Sequence, residues 1–137
     1  MKVLAVDYGS ARTGVAVSDP TGTIARPLGV VDRADSENGL AELARLIRAE
    51  AAERVVVGLP RTLRGEHGAQ ARETEAFLEA LRGAVDVPVE SFDERFTTRL
   101  ARMGPGDSPR DRSKPDDARA AAHLLSSYLE WSSAGRE

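Results

Sequence analysis

The stretch Lys2-Val-Leu-Ala-Val-Asp7-Tyr-Gly9-Ser-Ala-Arg12-Thr13-Gly14-Val-Ala-Val-Ser18-Asp19 constrains the fold more than any other part of the chain. An apolar run ends on a carboxylate, turns through glycine and returns as a second apolar run. A strand covered on both faces reads as a continuous hydrophobic run, so both runs belong inside a sheet with its faces packed. The acid closing the first run is poorly explained by stability, because a carboxylate near a core must be paired or bound to a metal. The question is which other acids join Asp7.

The remaining pattern supplies the rest of the sheet. Residues 2–7, 12–19 and about 24–32 read as three strands with short links, turned at Gly9 and at Pro20-Thr-Gly22. Short links favour antiparallel neighbours, since a parallel crossover needs about a dozen residues or more. Ser36 is placed to cap a helix in which Leu40, Leu43, Ile47 and Ala51 recur at helical spacing to about Ala52. Val55-Val-Val-Gly58-Leu59 is a buried fourth strand stopped by Pro60. Residues 69–82 form a second helix with Ala71, Thr74, Phe77, Leu78 and Leu81 on one face. Residues 87–92 form a fifth strand, which Pro88 directs to an edge. Thr97, best placed as a cap, opens a short helix to Met103. Residues 104–114 have no apolar member and read as a mobile loop. Pro115 opens the last helix, which runs to about Trp131. The expectation is one α/β domain over residues 1–131, an antiparallel trio extended by two crossover strands, with a tail at 132–137. Phe77, Phe92, Tyr128 and Trp131 read as core.

A length of 137 residues suits a single domain, and 41% hydrophobic content suffices for a packed core. Without cysteine, disulfides and thiolate metal sites are excluded, which fits a reducing compartment. The N-terminus lacks the plan of a signal peptide, and no apolar run approaches the roughly 20 residues of a membrane span. A cytoplasmic protein with no membrane partner is expected. The net charge of −3 argues against a broadly basic surface, but segment 95–114 holds six basic residues against two acids, whereas 32–53 holds three against six. A basic end and an acidic back suit an anionic partner met on one side.

Carboxylates close or open elements at three places: Asp7 after strand one, Asp93 and Glu94 after strand five, and Asp116 and Asp117 at the start of the last helix. In open α/β sheets the functional crevice lies outside the carboxyl ends of the strands. From Asp117, steps of 4, 7, 8 and 11 reach Ala121, Leu124, Leu125 and Tyr128, an apolar face. Asp117 therefore points toward the sheet and Asp116 toward solvent, where it complements the helix dipole. Hard divalent cations prefer such oxygen ligands. Two of them about 3.5–4 Å apart can bind the attacking water and the leaving oxygen of a phosphodiester. Clustered carboxylates without cations repel one another.

At these residues the chain resembles the YqgF/RuvX family. The resemblance is carried by Asp7-Tyr-Gly9-Ser-Ala-Arg12-Thr13-Gly14-Val-Ala-Val-Ser18-Asp19, by Val57-Gly58-Leu59-Pro60-Arg-Thr-Leu63-Arg-Gly65-Glu66, by Asp93-Glu94-Arg95-Phe-Thr97-Thr98, and by Asp117 before an Ala-rich helix ending Tyr128-Leu129. It spans residue 2 to about 130. It implies an RNase H-like fold related to the RuvC resolvases, in which a five-stranded mixed sheet is flanked by helices. It implies a nuclease acting on RNA or DNA, described for the family both as a pre-16S rRNA nuclease and as a Holliday junction resolvase. Asp7, Glu94 and Asp117 are carried over as the catalytic and metal-ligating triad for two Mg²⁺ or Mn²⁺ ions. The position before the helix acid is usually apolar in this family but is Asp116 here, and Asp93 stands ready to assist or replace Glu94.

Nucleic-acid contacts are expected from Arg12, Arg61, Arg64, Arg95, Arg99, Arg110, Arg112 and Lys114. Arg12 either grips a phosphate bidentately or pairs with Asp19 or Glu94. Gly9 and Gly14 are expected where backbones approach closely or dihedrals are unusual. A junction resolvase would want a symmetric homodimer, whereas a maturation enzyme can act as a monomer. Two other readings compete. One is a nuclease-like binding module without catalysis. The other is the phosphate loop of the actin and hexokinase fold, for whose two domains this chain is too short.

Overall fold

The computed structural model of the chain describes residues 1–9, 11–59, 69–93 and 115–133. Its elements are β1 (Val3–Asp7), β2 (Arg12–Ser18), β3 (Ala25–Asp32), α1 (Glu37–Ala49), β4 (Arg54–Leu59), α2 (Ala69–Ala84), β5 (Val89–Asp93) and α3 (Asp116–Ser133). The sheet order is β3-β2-β1-β4-β5. β1 pairs antiparallel with β2, and β2 with β3, while β4 runs parallel to both β1 and β5. This is the expected antiparallel trio extended by two crossover strands, with β5 at the edge that Pro88 indicated. The carboxyl ends of β1, β4 and β5 share one edge with the start of β2.

Period-two alternation sorts the strand side chains onto two faces. Leu4, Val6, Val15, Val55, Val57 and Val89 face Leu43 and Ile47 of α1 and Phe77, Leu78 and Leu81 of α2. Val3, Ala5, Ala16, Ala25, Val56 and Phe92 face Ala121, Ala122, Leu124, Leu125, Tyr128 and Leu129 of α3. Burying a large aliphatic or aromatic side chain stabilises by about 1.5–3 kcal/mol, and the first face holds most of the bulk. Tyr128, Phe77 and Phe92 are buried as expected, but Trp131 is 39% exposed. Its ring leans on Phe92 and Tyr128 near the end of the helix, with centroids 5.4 and 5.9 Å away.

The Ser36 hydroxyl caps α1 by accepting from the Gly39 amide at 3.0 Å. The helix ends at Ala49, earlier than the apolar spacing to Ala51 and Ala52 suggested. The Ala51 amide donates to the Arg48 carbonyl and the Ala52 amide to the Ile47 carbonyl, which closes the helix with a Schellman turn. Ala51 occupies the left-handed position at φ 55° that glycine usually fills, so composition disguised the stop. At the other end of the chain, the Pro115 carbonyl accepts from the Arg119 amide at 3.1 Å. Pro115 thus stands just outside α3, and the helix takes in residues 132 and 133 of the expected tail. The helix expected at 97–103, the loop at 104–114 and residues 134–137 lie outside the described residues. No described helix is long and apolar enough to cross a membrane.

Candidate active site

Val3 and Ala5 point toward α3, so the alternation of β1 carries Asp7 to the same face at the strand's carboxyl end. Its partner across the ladder is Gly14. Gly14 also faces α3, and a methyl group built on it would overlap the Asp117 carbonyl. Glycine is therefore required here for close approach, not for a left-handed dihedral. The close packing seats the first turn of α3 on the residue opposite Asp7, and two acids remote in sequence reach one corner. Gly9 is tight for the same reason, with the Arg12 carbonyl where a side chain would stand. The buried Thr13 hydroxyl accepts from the Gly9 amide and lies the same 3.3 Å from the Gly9 carbonyl, tying the β1–β2 connection together.

The adjacent acids of α3 separate as helical spacing predicted. Asp116 has a side chain 97% exposed and pairs with Arg119 at 3.4 Å, one turn along. Asp117 is less exposed, and its Oδ2 lies 3.1 Å from Nε of Arg12. Both acids complement the positive end of the helix dipole, an effect worth about 0.3–1 kcal/mol. Arg12 thus has a partner that the sequence reading did not name, Asp117 and not Asp19, while Glu94 lies outside the described residues. Asp19 is committed elsewhere: it accepts from the Ile24 and Thr23 amides at 2.8 and 2.7 Å and from the Thr21 hydroxyl. These bonds hold its carboxyl far below the usual carboxylate range, the Ile24 amide most of all. It organises the β2–β3 turn at the opposite edge.

Asp93 shares its parity on β5 with Val89, which belongs to the α1 and α2 face, while Phe92 belongs to the α3 face. Asp93 therefore projects to the side of the sheet away from Asp7. Tyr8 likewise leaves the corner. Its ring stacks on Phe77 with centroids 4.4 Å apart, and burial, then the Asp35 and Glu73 carboxylates, push its phenol above the ordinary value. It stays protonated at neutral pH and serves packing.

Glu94, Arg61, Arg64, Arg95, Arg99, Arg110, Arg112 and Lys114 lie outside the described residues. Of the expected triad, the structure brings Asp7 and Asp117 to one corner. Among the described residues no three His, Asp or Glu side chains are grouped to hold a metal. The corner's donors are nonetheless carboxylate oxygens at the carboxyl edge of the sheet, which suits Mg²⁺ or Mn²⁺ and not a soft metal. The Arg12–Asp117 contact was missed by sequence reasoning. The one local signal for it was a glycine two residues after Arg12, in a strand otherwise closed to glycine.

A family model described as "RuvX: Holliday junction resolvase" matches residues 1–131. A protein of Rubrobacter xylanophilus named "Putative pre-16S rRNA nuclease" is 48% identical over 132 residues, covering 94% of this chain and 92% of the relative. A Chloroflexus aggregans protein of the same name is 40% identical over 131 residues, covering 93% and 92%. The structure of RuvC from T. thermophilus with a Holliday junction substrate superposes with a TM-score of 0.68 at 20% identity, covering 98% of this chain and 96% of that one. At that identity the likeness establishes the shared fold.

Proposed function

The chain belongs to the RuvX family, whose members are nucleases of RNase H-like fold, and on that premise we propose that it is a divalent-cation-dependent nuclease. Its substrate is precursor 16S rRNA, the RNA in the name its relatives carry, cut in its 5′ region. The observation that carries the reading is the convergence of Asp7 and Asp117 across Gly14. Stability alone gives no reason to bring a strand-end acid and a helix-start acid together.

Asp7, Asp117 and Glu94 are the proposed ligands for Mg²⁺ or Mn²⁺. When bound, such a pair of cations activates water and neutralises the departing oxygen of a phosphodiester. The chain's own contribution is rigidity. Asp7 is anchored by a central strand and Asp117 by a helix packed on that strand's neighbour, so neither carboxylate has to be ordered at the moment of reaction. Glu94 is preferred to Asp93 as the third acid because Asp93 projects to the other face. Arg61, Arg64, Arg95, Arg99, Arg110, Arg112 and Lys114 hold the nucleic-acid backbone without reading its sequence. A second substrate, the four-way DNA junction, is favoured by the description of the matching family model.

The test is a cleavage panel in Mg²⁺ and Mn²⁺ on precursor rRNA carrying its 5′ leader, single-stranded RNA and DNA, and four-way junctions. The expected result is metal-dependent cleavage of the precursor. In Asp7→Asn it falls by about 100-fold or more, since even outer-shell partners of a metal site cost about 10–100-fold. Undiminished cleavage by a folded Asp7→Asn protein would overturn the mechanism, and preferential junction cleavage would replace the substrate.

A further inference from the structure

Arg12 and Asp117 are joined by an ion pair with side chains 68% and 38% exposed. Arg12, Gly14 and Ala16 share one parity on β2, so the guanidinium rises from the same face as Asp7 at the same corner. Exposed pairs of this kind are weak and exchange readily. The contact occupies Oδ2 of a carboxylate that the reading above assigns to a cation. A guanidinium and a divalent cation repel, so the same oxygen does not serve both at close range. A guanidinium is also the side chain whose planar fork best matches a phosphate.

We propose that Arg12 is an exchangeable counter-ion: it competes with the divalent cation for Asp117 and, once displaced, contacts a phosphate of the substrate. This rests on the cation-dependent reading given above. It makes Arg12 a residue with two opposed effects, weakening cation binding while aiding cleavage.

The experiment is calorimetric titration of the full chain with Mn²⁺ alone, paired with cleavage at saturating Mn²⁺. In Arg12→Gln, Mn²⁺ binds about 2- to 5-fold tighter, the range that loss of one exposed ion pair allows. Its cleavage falls, with KM raised. Arg12→Lys keeps the charge and stays near wild type in Mn²⁺ affinity. Arg119→Gln, which removes a positive charge from the neighbouring pair with Asp116, also stays near wild type. Arg12 is exposed, so the substitution leaves the core untouched. If Mn²⁺ binding depends on Asp7 yet is unchanged or weaker in Arg12→Gln, the competition is refuted and the nuclease reading stands. Equal tightening in Arg119→Gln also refutes it, by reducing the effect to general charge. Tighter Mn²⁺ binding with unimpaired cleavage removes the phosphate contact. Absence of any saturable, Asp7-dependent Mn²⁺ binding overturns both this inference and the reading beneath it.

Discussion

Under α1 and α2 the sheet presents Leu4, Val6, Val15, Val55, Val57 and Val89, whereas under α3 it presents Val3, Ala5, Ala16, Ala25 and Val56, with Phe92 the one large side chain. The helices follow suit. Leu43, Ile47, Phe77, Leu78 and Leu81 fill the first layer, while α3 meets the sheet with Ala118, Ala121 and Ala122 in its first turns. Branched side chains supply buried area, and alanines let a helix backbone come close. The small-residue side is where Asp117 arrives against Gly14. One layer thus supplies most of the hydrophobic stabilisation, and the other trades bulk for the placement of a carboxylate.

That division is open to direct attack. The largest effect is expected for Leu43→Ala, which removes a fully buried side chain of α1. It should lower unfolding free energy by about 2–5 kcal/mol, read by urea denaturation, while the folded protein keeps its Mn²⁺ affinity. A folded Leu43→Ala protein that had lost Mn²⁺ binding would show that the two layers are not separable. Gly14→Ala should cost less, about 1–3 kcal/mol as overpacking does, but harm the site more. The new methyl group forces the first turn of α3 away from β2, so Mn²⁺ affinity drops although the fold survives. Unchanged stability and unchanged affinity together would mean that Asp117 is not held where the close approach puts it. The smallest effect sharpens the comparison from the other side. Ala51→Gly relieves a left-handed residue, worth about 1–2 kcal/mol, against about 0.4–1 kcal/mol of added unfolded-chain freedom. A net gain of about 0.5–1 kcal/mol in urea denaturation, with cleavage unaltered, would confirm that stability can be tuned under α1 without touching the acids.

Much of this architecture was legible in order along the chain. The β1–β2–β3 trio followed from short links, the edge position of β5 from Pro88, and the cap of α1 from Ser36. The orientation of Asp117 over Asp116 followed from helical spacing alone, because the residues one, two and three turns on are apolar only from Asp117. The end of α1 was misjudged because Ala51 takes a conformation that its residue type does not advertise. Trp131 packs on Phe92 and Tyr128 yet keeps 39% of its surface exposed, because a position near a helix end is only partly covered by the layer beneath it.

Period-two and period-3.6 patterns are local, so the sequence by itself determined the elements, their covered faces and the acids at their ends. Which acids meet depends on packing between segments that no local pattern links. The tertiary structure alone decided that α3 lies on the face of Gly14, that Arg12 takes Asp117 as its partner, and that Asp93 turns away from Asp7. The physical reason is that a carboxylate's neighbours are set by how closely two backbones approach, and that distance depends on the side chains of both.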